Sequence, residues 1–309
     1  AGHGRGGGHR RALRRRAHLA LTLLSAPGCE VGRASNLRSG GAAMSETKSL
    51  VQKQFGAHAA GYATSPVHAK GASLQRLIDL VRPEKHWRVL DVATGAGHTA
   101  LAFAPHVAEV IASDITDEML AEAEKLAKAR GLENVIFEKA DAMALPYDDG
   151  SFDLVTCRIA PHHFPDIPKF VAESYRVLKP GGTFALVDNI SPDEGSTPGF
   201  TKDELHEAAK AHNAFEKLRD PSHGRCLTIE EWRTAISEAG FSISAVEILP
   251  KEIEFIPWAE RMGADKATIA QLEAVVMGSS GALRAFFRPR QQGGKLYFSL
   301  DEGLVIARK

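Results

Sequence analysis

Between Val89 and Ala100 the chain reads VLDVATGAGHTA, a pattern that few folds accommodate. Two apolar residues run into an acid, Asp91. Small residues follow (Ala93, Thr94, Gly95, Ala96, Gly97), and then the apparent start of a helix. A strand, a tight turn and a helix N-terminus in that order is the layout with which α/β sheets hold nucleotide-like ligands. Gly95 and Gly97 allow positive φ and a close backbone approach, and the helix N-terminus offers unpaired N–H groups to an anionic end of a ligand.

At 309 residues and 44% hydrophobic, the chain can bury one sizeable core, or a core with a small cap. Its net charge of zero hides an asymmetry. Residues 1–43 hold eight Arg and one Glu, about +7, which leaves about −7 on residues 44–309. An acidic globular part argues against nucleic acid as a partner, because phosphate binding needs a basic face. Cys29, Cys157 and Cys226 form no CxxC pair and no disulfide framework, which suits a reducing cytoplasm. No stretch approaches the roughly 18–20 apolar residues of a membrane span. Nothing in the sequence bears on oligomeric state.

Residues 1–43 are rich in Gly, Arg and Ala. Arg10 to Arg16 followed by Leu19 to Leu24 imitates a signal peptide, and Ala26-Pro27-Gly28-Cys29 imitates a lipidation site. The apolar run is short, however, and Pro27 and Gly28 fit poorly at a cleavage site. The reading is a disordered basic extension, such as translation beginning upstream of Met44 would produce. The folded domain is expected over residues 44–309.

From Met44 onward helix and strand alternate. Helices are expected near 46–60, 67–81, 98–104, 116–130 and 166–178, and strands at 88–93, 107–113, 134–139, 152–158 and 183–188. Thr116 is expected to cap its helix, which Gly131 stops. Alternation with short loops predicts an α/β fold, a doubly wound, mostly parallel sheet covered by helices. Beyond residue 190 the rhythm loosens. Thr201-Lys202-Asp203-Glu204 and Thr228-Ile229-Glu230-Glu231 match the capping-box pattern, a strand is expected at 241–249, a helical stretch at 257–286, and a terminal strand pair or hairpin at 295–308. Segments 191–226 and 251–290 read as a helical cap over the carboxyl edge of the sheet, where such folds bind ligands.

Gly95 to Ala100 satisfies G-x-G-x-x-G/A, so a nicotinamide or flavin dinucleotide fits the loop; that pattern alone is weak. Three acids favour S-adenosylmethionine instead. Asp91 can orient the turn or reach an ammonium group through water. Asp114, closing the second strand, is placed to accept from both hydroxyls of a ribose, and Asp141, after the third, can accept an adenine amino group. Three carboxylates at successive strand ends suit a cationic ligand and repel a pyrophosphate.

VLDVATGAGHTA, ASDIT, ADAMALPYDDGSFD and RVLKPGGTFALVD together resemble the class I S-adenosylmethionine-dependent methyltransferases, in particular the small-molecule type: the quinone-biosynthesis C-methyltransferases and their type-11 relatives. The resemblance covers about Val51 to Asp188, fades through the cap and returns at the terminal strand. It implies a seven-stranded Rossmann-like sheet with an antiparallel last strand, and S-adenosylmethionine held by Asp91, Ala93, Thr94, Gly95, Gly97, Asp114, Ile115, Met119, Asp141, Ala142 and Arg158. Ala93 stands where many members have the first glycine of the loop.

A sulfonium already activates its methyl group, so the protein must mainly align the nucleophile and exclude water. A general base is needed only where the acceptor loses a proton. His162 and His163, in the loop after the fourth strand, are the candidates, the alternative being that one of them shapes the loop. Arg158 either contacts the cofactor or an acidic substrate, or forms a structural ion pair. Phe55 and Tyr62 are candidates to close over the sulfonium through a cation–π contact, or simply pack. Phe200, Phe215, Trp258, Phe286 and Phe287 either line an apolar acceptor pocket or form a core. His206, His212 and His223 have poor ligand spacing, and no metal site is expected. The resulting reading is a cytoplasmic methyltransferase acting by in-line transfer on a small, apolar or aromatic acceptor. The alternatives are an inactive cofactor-binding scaffold or sensor and an NAD(P)-dependent oxidoreductase.

Overall fold

A computed structural model of the chain describes residues 48–56, 59 and 71–309; the expectations for residues 1–43 and for Tyr62 lie outside them. Residues 48–56 are helical. There follow α1 (Ala72–Val81), β1 (Arg88–Val92), α2 (His98–Phe103), β2 (Glu109–Asp114), α3 (Asp117–Ala129), β3 (Val135–Lys139), β4 (Phe152–Arg158), α4 (Ile167–Val177) and β5 (Leu178–Asn189). Then come α5 (Lys202–Arg219), α6 (Ile229–Glu238), β6 (Ser242–Leu249), β7 (Glu252–Glu254), α7 (Phe255–Glu260), α8 (Lys266–Gly278), α9 (Gly281–Phe287), β8 (Arg290–Gln292), β9 (Lys295–Ser299) and β10 (Glu302–Arg308). No helix among the described residues is long and apolar enough to cross a membrane.

The described residues up to Ile190, with Gly224–Leu249 and Asp301–Lys309, make one compact unit; Ser191–His223 and Pro250–Leu300 make another. The first holds a seven-stranded sheet in the order β3-β2-β1-β4-β5-β10-β6. The pairings among β1 to β5 are parallel, and β10 runs antiparallel to both neighbours. Adjacent residues of one strand point to opposite faces, and both faces are covered. Val89, Val110, Leu154, Ala185 and Leu304 join a buried cluster with Leu77 of α1 and Phe103 of α2. Leu90, Ile111, Val155, Leu186 and Val305 join another with Phe170 of α4 and Trp232 of α6. This is why the strands read as continuous apolar runs rather than as alternation. The strand order reverses between β1 and β4, so the crevice at their carboxyl ends is the ligand position such sheets offer.

In the second unit α5 to α9 without α6 accompany a small antiparallel sheet, β7-β9-β8. Its core is aromatic. The rings of Phe215 and Trp258 stack at 5.1 Å, and Phe215, Phe287 and Phe298 meet one another at 5.0–5.8 Å. Phe215, Phe286 and Phe287 are wholly buried in this cluster, so of the two readings of these rings the core is the one observed. His212 Nδ1 lies 3.1 Å from Ser191 Oγ, and His223 Nε2 lies 3.0 Å from Asn213 Oδ1.

Both capping boxes form as expected, at Thr201–Glu204 and Thr228–Glu231. Three local expectations need correction. Thr116 holds the N-cap position of α3, but its side chain makes no cap bond; the Asp114 carboxylate takes the Thr116 N–H instead. The helical stretch at 257–286 is three helices, interrupted around Gly263, at positive φ, and at Ser279 and Ser280, with Asp265 recapping α8 through Thr268 N. Residues 295–308 are not a hairpin: β9 pairs with β7 and β8, whereas β10 enters the large sheet. Two strands adjacent in sequence belong to different sheets, a long-range outcome that periodicity does not encode.

Candidate active site

The turn after β1 is organised around Asp91. Its Oδ1 accepts from Thr156 Oγ1 at 2.6 Å, and its Oδ2 accepts from Thr94 Oγ1 at 2.6 Å and from Ala100 N at 3.1 Å. One buried carboxylate thus ties β4, the turn and the first turn of α2 together. Burial pushes its pKa up to about 6, against the lowering effect of those hydrogen bonds and of Arg158. Asp91 lies behind the turn and does not line the cleft in front of it.

The shared role expected of Gly95 and Gly97 divides. Gly95 has φ +55° with nothing within 4 Å of where a Cβ would stand, and it lines the cleft. Gly97 has φ +82°, and a Cβ there would sit 2.9 Å from Ala123 Cβ on α3. It lets two helices approach and is not a lining residue. Ala93 has φ +52° and Ile159 φ +55°. Left-handed backbone costs a non-glycine residue roughly 1–2 kcal/mol, and both residues face the cleft. Backbone strain of this kind gathers at ligand sites.

At the end of β2, Asp114 Oδ2 accepts from Gly95 N at 2.8 Å and Oδ1 from Thr116 N at 2.9 Å. Burial raises its pKa, opposed by these backbone donors. Ile115 and Met119 line the same cleft. After β3, Asp141 Oδ1 accepts from Met143 N at 3.0 Å, and Oδ2 pairs with the Lys48 ammonium. Lys48 belongs to the helical residues 48–56. That stretch also places Gln52 Nε2 2.8 Å from Ile115 O and sets Val51 and Phe55 in the cleft wall. Ala142 and Asp141 line a smaller adjoining cavity with Lys48.

The two histidines after β4 are placed differently. His162 Nδ1 lies 2.6 Å from Asp188 Oδ1, and His162 lines neither cavity. His163 lines both; its ring meets Phe55 edge-on at 4.9 Å and His162 at 4.2 Å. Arg158 Nε donates to Thr99 Oγ1 at 3.0 Å, and Arg158 also lines the cleft. Burial lowers its pKa, while Glu302 and then Asp91 support its charge.

The larger cleft spans about 750 Å³ and the smaller cavity about 420 Å³, both including space open to solvent. They share Val51, Ala93, Ile115, His163 and Phe164. Ala93, Thr94, Gly95, Asp114, Ile115, Met119, Asp141, Ala142, Arg158 and His163 therefore converge on one continuous concavity, whereas Asp91, Gly97 and His162 stand behind it. Sequence reasoning missed Lys48, His98, Thr99 and Ile159. His98 and Thr99 belong to the motif itself and were open to inference from the helix start; Lys48 lies 93 residues from its partner and carried no signal.

Residues 90–186 match the family model described as a methyltransferase domain. A Bacillus subtilis protein called the uncharacterized methyltransferase YcgJ is 38% identical over 253 residues, 81% of this chain and 96% of that protein. Its crystal structure superposes with a TM-score of 0.70 at 36% identity, covering 77% of this chain and 97% of that one. A demethylmenaquinone methyltransferase of Thermus thermophilus is 43% identical over 131 residues, 41% of this chain and 59% of that protein. With the sheet order and the cleft at its switch point, these matches establish that the chain belongs to the class I S-adenosylmethionine-dependent methyltransferases.

Proposed function

We propose that this enzyme transfers a methyl group in line onto a small, apolar or aromatic acceptor bound against His163 and Phe164. What supports the reading is that the cleft carrying Asp114 and Gly95 is closed by the apolar and aromatic side chains of Phe55, Ile159 and Phe164, with His163 among them. The residues suit the cofactor. Asp114 closes β2 on the cleft wall, held by the Gly95 and Thr116 N–H groups, where an ionised carboxylate can accept from ribose hydroxyls. The open space beside Gly95 admits an amino-acid moiety close to the backbone, and Arg158, Thr99 and His98 stand around that end. Asp141 would accept an adenine amino group in competition with Lys48.

Bound S-adenosylmethionine supplies the electrophilic methyl on a sulfonium. The rest falls to the chain. Phe55, described on the cleft wall, offers a ring to the cation, worth roughly 0.5–2 kcal/mol. Val51, Ile159 and Phe164 keep water from the reacting atoms, as methyl transfer requires. His163 is the group placed to take a proton from an acceptor that must lose one. Calorimetric titration with S-adenosylhomocysteine, followed by labelled methyl transfer from S-adenosylmethionine into a cell extract, tests the reading. The expected result is binding together with a labelled small apolar product. Label only in macromolecules would overturn the acceptor class.

A further inference from the structure

We propose that Asp188 and Gly224 are positioning residues: acting through His162 from opposite sides, they fix the turn that presents His163 to the cleft. The proposal rests on the reading of His163 given above. The turn at Pro161–His163 follows a residue in left-handed conformation, Ile159, so its own local geometry does not explain its placement. His162 is held at three points. Its Nδ1 is bound to Asp188 on β5 at 2.6 Å, with Asp188 only 1% exposed. Its carbonyl accepts from Gly224 N and from Arg225 N, both at 2.9 Å. A Cβ at residue 224 would stand 2.8 Å from that same carbonyl oxygen, so glycine is the residue that permits the double backbone contact.

The consequence reaches the cleft through the rings. His162 lies against His163 at 4.2 Å between centroids, and Phe55 closes the other side at 4.9 Å. The His163 imidazole is therefore placed by a wall whose back is anchored to Asp188. Asp188 Oδ2 is buried and accepts no hydrogen bond among the described residues. A carboxylate held so sparingly is not explained by β5 itself, where Asp188 stands opposite Gly303. An isolated buried carboxylate is costly, and among the described residues the hydrogen-bond partner of this one is the histidine that backs His163.

The test compares Asp188→Ala, Asp188→Asn and Gly224→Ala with the parent protein by three measurements: S-adenosylhomocysteine affinity, the rate at which diethylpyrocarbonate modifies His163, read by peptide mass, and labelled methyl transfer into extract. Asp188→Ala and Gly224→Ala should speed His163 modification severalfold and lower transfer about tenfold or more, the scale of a displaced reacting group, with cofactor-product affinity little changed. Asp188→Asn, whose amide oxygen still accepts from Nδ1–H, should restore both readouts. Parent-like modification and transfer in folded Asp188→Ala would overturn the proposal, as would parallel loss of affinity, stability and transfer in all three variants. If Asp188→Ala does not fold, Gly224→Ala and Asp188→Asn carry the test. A parent protein that transfers no label leaves the modification arm to decide the positioning claim and counts instead against the proposed function.

Discussion

Replacing Gly97 with alanine separates two physical readings of the glycine loop. If Gly97 serves ligand approach, the substitution should weaken cofactor binding and leave the fold alone. The structure indicates the reverse. The new Cβ would lie 2.9 Å from Ala123 Cβ, and φ at 97 is +82°. Left-handed backbone costs an L-residue about 1–2 kcal/mol, and overpacking a buried contact about 1–3 kcal/mol. The stiffer unfolded chain returns about 0.4–1 kcal/mol. The net loss is about 2–4 kcal/mol, since Ala123 is wholly buried and cannot swing aside. For a domain of this size that lowers the melting temperature by roughly 5–15 °C. The assay is thermal unfolding of Gly97→Ala, Ala123→Gly and the pair. Ala123→Gly alone costs about 0.5–1 kcal/mol as a helix-interior glycine, yet in the double variant it should recover the steric part, giving a coupling of about 1–3 kcal/mol. Calorimetry should find S-adenosylhomocysteine affinity little changed in the folded single variant. A Gly97→Ala protein that melts like the parent but loses affinity would refute the packing argument.

Asp91 predicts a pH dependence. Its folded pKa of about 6 exceeds the unfolded value near 3.9, so its contribution is full below about pH 4 and is lost as pH rises through about 6. The loss approaches roughly 3 kcal/mol by neutral pH. Asp91→Asn can still accept from Thr94 and Ala100 and donate to Thr156, so its melting temperature relative to the parent should climb between pH 4 and pH 7; a difference that stays flat with pH would contradict this. Asp114→Ala strands the buried Thr116 N–H, costing about 1–3 kcal/mol of stability, and should weaken S-adenosylhomocysteine binding by more than about tenfold. Unchanged affinity in a titration would remove Asp114 from the ribose site. Lys48→Ala breaks a part-exposed ion pair worth about 0–1 kcal/mol, so stability should barely move while affinity rises up to about fivefold as Asp141 is released. A fall in affinity would show that Lys48 assists binding rather than competing with it.

What could be read from the sequence was local. The βα turn, the acids at successive strand ends, the two capping boxes and the alternation that builds a parallel sheet all depend on residues within a few positions of one another. Their geometry follows from backbone hydrogen bonding and from side chains that share a turn or a face. Asp114, Gly95 and His163 were accessible in this way. Tertiary packing decided the rest. It paired Lys48 with Asp141 across 93 positions, and it set His162 on Asp188 and left His163 in the cleft, although the two histidines are neighbours of identical chemistry. It turned Gly97 toward Ala123 while Gly95 stayed open, gathered the aromatics of the second unit against one another, and sent β9 and β10 to different sheets. In each case the partners are distant in sequence, and the outcome depends on which surfaces meet when the sheet closes. A single chain's pattern of residue types does not record that.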